Sequence, residues 1–410
     1  MRILAAALIL LLALPASAQD MPALFRQGME ALAAADKTKD EDRRDELLDG
    51  AIAAFRKMLI ADPRLVRVRL ELARAFFLKG EDGLAREHFE RVLAGKPPAG
   101  VALNVQRFLA QIRARKRWSM RVGFALAPDT NLGAGSDDRT IYIEVFGQRL
   151  PFTYQGDEPK SGIGIAAWAG GEYQHPLSRT WRLRAGGDVH RREYREREFD
   201  RMTVAGHVGP RWLIGRGTEA SLLASVRQHW TADEADHRDI GARGELRHRL
   251  SRRATGHVTL SRHERRYEER DHLDGPVTDL SLGAGWVASP TIRIDAAVGW
   301  GREKPETERY RHERRWMRLG ATAALPYGFT VGASGTLRWT GYEGNWFPFT
   351  EDGSARSDIT RHLRVFAHNR AFTVGGFSPQ VSLVREDRTS NAQLHDYERT
   401  SGELRFVRLF

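Results

Sequence analysis

Fourteen histidines and no cysteine set the chemistry this chain can attempt. Two near copies stand out, His263-Glu264-Arg265-Arg266 and His312-Glu313-Arg314-Arg315, each preceded by an arginine. The His-Glu-x-x-His spacing of a helical zinc site, and its inverse, are absent. Without a thiolate, imidazole and carboxylate are the ligands left. On a strand, neighbouring residues point to opposite faces, so His263 and Glu264 cannot share an ion. The copies read instead as a solvated basic rim of Arg265, Arg266, Arg314 and Arg315. Asp188 and His190 share one face of another segment, as an acid–base pair would, but many arginines share it too. No glycine-rich phosphate loop precedes a helix. Neither catalytic residues nor a cofactor or metal is expected, and the chain does not read as an enzyme.

The elements that position these residues begin with a leader. Arg2 precedes an unbroken Ile/Leu/Ala run from Ile3 to Leu14, then Pro15 and Ala16-Ser17-Ala18. A basic start, a short apolar stretch and an A-x-A site predict a secretory signal over residues 1–18, cleaved after Ala18. The run falls short of the roughly 20 apolar residues a spanning helix needs. No cysteine follows it, so the chain is not itself a lipoprotein. No later run is long enough to span as a helix, and 29% of residues are charged. With 410 residues, two domains are expected. The net charge of +11 would suggest nucleic acid, but export argues against that partner.

Residues 19–117 read as helical. Leu24, Met29 and Leu32, then Ile52, Phe55 and Leu59, then Leu72, Phe76 and Leu84 recur mostly at helical spacing. Ala51, Phe55, Leu59 and Pro63 return 34 residues later as Ala85, Phe89, Leu93 and Pro97. That is the tetratricopeptide period, and Leu72, Ala73 and Phe76 fall where its first helix carries Leu, a small residue and Tyr. The prolines end the second helices because they lack an amide hydrogen. About two units, capped by a helix from Val101 to Lys116, predict a short solenoid whose concave face binds extended peptides or partner helices.

At Trp118 the period changes to two. Met120, Val122, Phe124 and Leu126 alternate with Arg121, Gly123 and Ala125, and Trp181, Leu183, Ala185 and Val189 alternate with Arg182, Arg184, Gly186 and Asp188. The apolar face is either the core of a soluble sandwich or the lipid face of a membrane barrel. Fourteen strands are predicted, near 118–127, 161–173, 180–191, 200–213, 218–230, 238–250, 254–267, 276–287, 290–302, 312–324, 328–340, 357–369, 376–386 and 396–410. Tight connections such as Pro176-Leu177-Ser178-Arg179 and Ser251-Arg252-Arg253 alternate with long ones, including Thr231 to His237 and Gly341 to Arg356. Short inner turns and long outer loops favour an outer-membrane barrel over residues 118–410, both ends facing the periplasm. Closure is required because unpaired backbone groups cannot be left in hydrocarbon. Trp181, Trp212, Trp230, Trp286, Trp300 and Trp339 suit interfacial girdles. The basic rim would then meet lipopolysaccharide phosphates. Phe406 and the terminal Phe410, interrupted by Arg408, resemble the signal read by the barrel-assembly machinery.

Helical repeats followed by fourteen strands, Ala127-Pro128-Asp129-Thr130-Asn131 ending the first strand, and the segment from Ser378-Pro379 through Ser390-Asn391 to Phe410 resemble the surface lipoprotein assembly modifier family. Pro128, Asp129 and Asn131 match its Pro-x-x-Asn junction, while Thr130 and Leu132 stand where Ser and Ile are expected. The resemblance implies a Gram-negative outer-membrane translocon that helps lipoproteins or soluble cargo reach the surface. It also implies a periplasmic helical domain that engages cargo or a chaperone. A porin or solute channel with a cationic lumen is the alternative, and a structural or adhesive surface protein a third.

Overall fold

The computed structural model describes residues 21–95, 97–115, 117–136, 140–146, 148–153, 159–215, 217–350, 353–369 and 371–410. The expected leader lies outside the described residues. The chain divides between residues 116 and 117 into two compact units.

The first unit holds five helices: α1 (Met21–Lys37), α2 (Glu41–Ala61), α3 (Val66–Lys79), α4 (Asp82–Ala94) and α5 (Ala99–Arg115). Asp40 caps α2, its carboxylate accepting the Arg43 N–H, and Glu41 and Asp42 in the first turn suit the positive end of the helix dipole. Pro63 follows the end of α2 and Pro97 the end of α4. The repeated residues do the same work twice: Phe55 and Phe89 are both 0% exposed, as are Ala51 and Ala85. Leu72, Ala73 and Phe76 of α3 join the same core. Gly28 lets α1 approach α2 closely, since a Cβ there would lie 2.5 Å from Phe55 Cε1. Phe108 docks α5, with ring centroids 5.0 Å from Phe77 and 5.1 Å from Phe89.

The second unit is a closed antiparallel barrel of fourteen strands. They are β1 (Trp118–Asp129), β4 (Gly162–Pro176), β5 (Trp181–Glu193), β6 (Arg201–Ile214), β7 (Thr218–Thr231), β8 (Glu234–Arg249), β9 (Ala254–Tyr267), β10 (Gly275–Val287), β11 (Ile292–Glu303), β12 (His312–Ala324), β13 (Phe329–Tyr342), β14 (Ser357–Asn369), β15 (Ser378–Ser390) and β16 (Tyr397–Leu409). A two-stranded hairpin, β2 (Thr140–Val145) and β3 (Gln148–Thr153), stands in the connection between β1 and β4. Sequence reading placed no strands there. Each barrel strand pairs with its sequence neighbour, and β1 closes against β16. With fourteen strands the chain enters and leaves at one end, here the terminal end; the opposite end is the loop end.

Alternation sets the two faces. Phe124, Leu222, Leu260, Leu319 and Val381 are exposed on the outer wall, which in a membrane barrel meets lipid. Register carries that parity around the wall and puts all six predicted girdle tryptophans outward. Trp181 and Trp212 stack there at 5.4 Å. The expected long connection from Thr231 to His237 is instead a two-residue turn, Ala232-Asp233, with φ of 53° and 65°, the left-handed pair of a tight hairpin. Glu234, Asp236 and His237 belong to β8. Their polarity reads as loop because a strand that runs past the lipid band is polar on both faces.

Three loop-end connections reuse one device. A single 3-10 turn, Arg197–Phe199, Asp271–Leu273 or Gln393–His395, is followed by an aspartate. The carboxylates of Asp200, Asp274 and Asp396 accept the N–H of Tyr194, Tyr267 and Ser390 at 2.7, 2.7 and 2.5 Å. Each tie satisfies a backbone donor at the strand end and fixes the exit angle of the loop.

Candidate functional site

The seam that closes the barrel is interrupted at a proline, as is the β6–β7 pair, which skips Gly209 and Pro210. β1 pairs with β4 continuously from Trp118 to Asp129. Against β16 its register runs from Arg121↔Leu409 to Leu126↔Leu404, then resumes at Asp129↔Ser401. Pro128 has no N–H to give the ladder, and the pairing skips Ala127 and Pro128. Side chains take over beyond the gap. Arg399 Nε lies 2.9 Å from each Asp129 oxygen, and the guanidinium makes a further bond to the same carboxylate. Asp129 also accepts the Asn131 N–H at 3.0 Å. The Asn131 amide donates to the carbonyls of Gly135 and Glu398 at 2.9 and 3.2 Å. Thr130 and Thr400 exchange two bonds of 3.0 and 2.9 Å. Pro128, Asp129 and Asn131 are thus one corner of the seam at the loop end. Arg399 is not marked in the sequence, because its place two residues along from Ser401, the partner of Asp129, follows only from the closing register.

The rest of the seam is aromatic. Phe406 stacks on Phe124 at 5.1 Å across the β1–β16 pair. Phe410 exchanges backbone bonds with Met120, and the Arg408 guanidinium sits 4.5 Å from the Phe410 ring centre. On the lumen side Trp168 lies over Gly123, where a Cβ would come within 2.2 Å of the indole. Glycine is what lets that ring lie flat on the first strand.

The inner wall is a band of arginines and carboxylates. Arg184 reaches Glu172 at 2.7 Å and Glu245 at 2.8 Å, tying β5 to β4 and β8. Arg192 reaches Glu403 of β16 at 2.5 Å. Two cavities of about 460 and 310 Å³ lie along this wall, lined by Arg211, Arg247 and Arg293 and by Arg318 and Arg364. The predicted basic rim divides between the faces. Arg266 and Arg315 are exposed outward. Arg265 turns inward to Asp239 (2.8 Å) and Glu303 (3.1 Å), and Arg314 to Asp279 (2.6 Å). Adjacent residues on a strand cannot share a face, so each doublet contributes one arginine to the outer wall and one to the lumen. Asp188 and His190 both face the lumen by the same parity.

Loops fold over the loop end. Trp346, 4% exposed, meets Tyr310, Tyr342 and His395 edge-on at 6.1, 5.5 and 5.6 Å. Arg356 lies over Tyr342 and Trp346 and pairs with Asp358 at 2.6 and 2.8 Å, both side chains buried. Burial, and then the neighbouring Arg356, push the His395 imidazole down to about 4, so it is neutral at ordinary pH. Leu132 and Phe199 are buried in the neighbouring loops. Little in the alternation marks this cluster, since Tyr342 and Asp358 end or begin strands while Tyr310, Trp346, Arg356 and His395 come from connections far apart in sequence or in no regular period.

Among known proteins, the family model described as surface lipoprotein assembly modifier matches residues 118–410. Surface lipoprotein assembly modifier 1 of Neisseria meningitidis is 24% identical over 406 residues, covering 95% of this chain and 76% of that protein. Surface lipoprotein assembly modifier 1 of Haemophilus influenzae is 20% identical over 376 residues, covering 85% and 72%. Among solved structures, the outer membrane channel DcaP of Acinetobacter baumannii aligns at a TM-score of 0.41 and 8% identity, over 71% of this chain and 96% of that one.

Proposed function

Because the chain belongs to the surface lipoprotein assembly modifier family, we propose that it is an outer-membrane translocon that helps specific lipoproteins, or soluble proteins, reach the cell surface. One observation carries the reading: a closed barrel with a charged inner wall follows a separate helical unit with its own core. A passive pore has no use for a second unit whose repeat suits peptide binding. In this reading residues 1–18 are a cleaved signal, 19–117 a tetratricopeptide-like domain in the periplasm, and 118–410 the membrane barrel. The helical unit engages cargo or its chaperone. Arg266 and Arg315 meet lipopolysaccharide phosphates, and Phe406 and Phe410 present the last strand to the assembly machinery.

Surface proteomics of a deletion strain tests this. Loss of one or a few exposed proteins, restored by the intact gene, is the expected result. The arginine-lined wall favours a second reading, a channel for small anions. Unchanged surface composition with reduced anion uptake would select that reading instead.

A further inference from the structure

The hairpin of β7 and β8 gathers three ligand-bearing side chains on the lumen face near the loop end. Its two-residue turn pairs Thr231 with Glu234 and Trp230 with Ala235; the pairing then skips Asp236, which sets His229 directly across from His237. Asp239 lies two residues beyond His237 and so on the same face. The ladder shifts register between His229 and Trp230, and such an irregularity re-aims a side chain. The two imidazoles stack with centroids 4.3 Å apart and planes 21° from parallel. One nitrogen from each ring and one Asp239 oxygen all lie within 4.8 Å of one another.

The surroundings leave these atoms ready to bind. His237 Nδ1 is 2.8 Å from Asp236 Oδ2. A carboxylate only accepts, so Nδ1 carries the proton and Nε2 keeps a free lone pair. His229 Nδ1 is 3.0 Å from Thr203 Oγ1, and donation to that hydroxyl frees Nε2 in the same way. An outer carboxylate that fixes the tautomer of a ligating histidine is the usual second layer of a metal site. Asp239 is buried and accepts from Arg265 at 2.8 and 3.1 Å. Arg265 has a second carboxylate to lean on, Glu303 at 3.1 Å, so it can yield one Asp239 lone pair.

We infer that His229, His237 and Asp239 form a binding site for a borderline divalent cation of the Zn²⁺ class, with a fourth position open to the lumen. Two nitrogens and one oxygen exclude a preference for Mg²⁺ or Ca²⁺, which take oxygen ligands. Zn–N bonds of about 2.0–2.1 Å in a tetrahedron bring ligand atoms to about 3.3 Å, so side-chain rotation has to close the present spacing modestly. Arg265 and Arg227 (3.9 Å from Asp239) oppose the cation, which makes the site exchangeable rather than structural. The inference stands whether or not the barrel is a translocon.

The test uses the full chain in detergent, stripped with a chelator. Co²⁺, a visible-absorbing substitute for Zn²⁺, should bind with one equivalent, give a d–d band, and be displaced by Zn²⁺. His229→Ala and His237→Ala should each weaken binding at least tenfold. His263→Ala, a lumen histidine bonded to Ser225, should not, and Arg265→Gln should tighten it. Absence of the band, or unchanged binding in both histidine variants, overturns the site. Should those variants misfold, the unmutated protein decides: saturating Zn²⁺ must shield His229 and His237, but not His263, from carbethoxylation mapped by mass spectrometry. Equal labelling with and without Zn²⁺ overturns it.

Discussion

Replacing Arg399 with leucine isolates what holds the seam beyond Pro128. The Asp129 side chain is 1% exposed, and Arg399 is its charge partner. Arg399→Leu leaves a buried carboxylate with the Asn131 N–H as its remaining close donor. Breaking a buried pair by removing one member costs about 3–5 kcal/mol. Arg399 is about a quarter exposed (27%), which places the expected loss at the lower end, about 3 kcal/mol. That lowers the folded-to-unfolded ratio on the order of 10²-fold. Asp129→Asn removes the charge while keeping an acceptor for Asn131. The double variant Asp129→Asn/Arg399→Leu should therefore be more stable than Arg399→Leu alone. Equilibrium urea unfolding in phospholipid vesicles, followed by tryptophan emission and by gel mobility, measures each variant, and the two probes must coincide. A loss below about 0.5 kcal/mol for Arg399→Leu, within the range of an unremarkable surface change, would refute the reasoning. So would a double variant as unstable as the sum of the singles.

Four other outcomes are expected. A His395 imidazole held near 4 against an unfolded value near 6.5 means the folded loops resist protonation. Their stability is full above pH 6.5 and falls as pH drops towards 4, since the unfolded chain takes the proton first. Quenching of Trp346 emission should follow that window, and a His395→Gln variant should lose the dependence. Gly123→Val drives a side chain into Trp168 and towards the Phe406 carbonyl; the heat-modifiable fraction should collapse, with partial rescue by Trp168→Ala. Deleting Phe410 removes the residue that pairs with Met120, and should lower barrel yield and raise periplasmic degradation in pulse-chase labelling. Deleting residues 21–112 should leave a heat-modifiable barrel that no longer delivers cargo to the surface; a truncated barrel that fails to insert would make the helical unit a brace.

The barrel was legible because two signals agree along each strand, apolar alternation on one side and charge on the other. Thr231 to His237 escaped because beyond the lipid band both faces are polar and the period loses its contrast. The hairpin of Thr140–Val145 and Gln148–Thr153 was passed over inside a long connection, although Ile141, Ile143 and Val145 alternate there. In the helices, Ala51/Ala85 and Phe55/Phe89 were readable from spacing alone, as each repeats the same local packing. Sites fared worse. The Asp129–Arg399 pair joins residues at opposite ends of the barrel sequence, so nothing local connects them. The His229–His237–Asp239 group needs a hairpin register that the misread loop concealed. The doublets Arg265-Arg266 and Arg314-Arg315 were read as one rim, although strand parity splits each.

That parity gives every barrel strand a reading frame of two. Inserting one residue into the middle of β9 would carry Arg265 to the outer face and Arg266 into the lumen, and would invert each residue from there to the loop end. Insertion of two residues would restore the frame and merely lengthen the wall. Among relatives of this chain, the strands should therefore change length in even steps or not at all, with odd changes confined to the connections. A bulge, as at Asp236 opposite His229 and Trp230, is the one place where a strand can absorb a single extra residue and keep its frame beyond it.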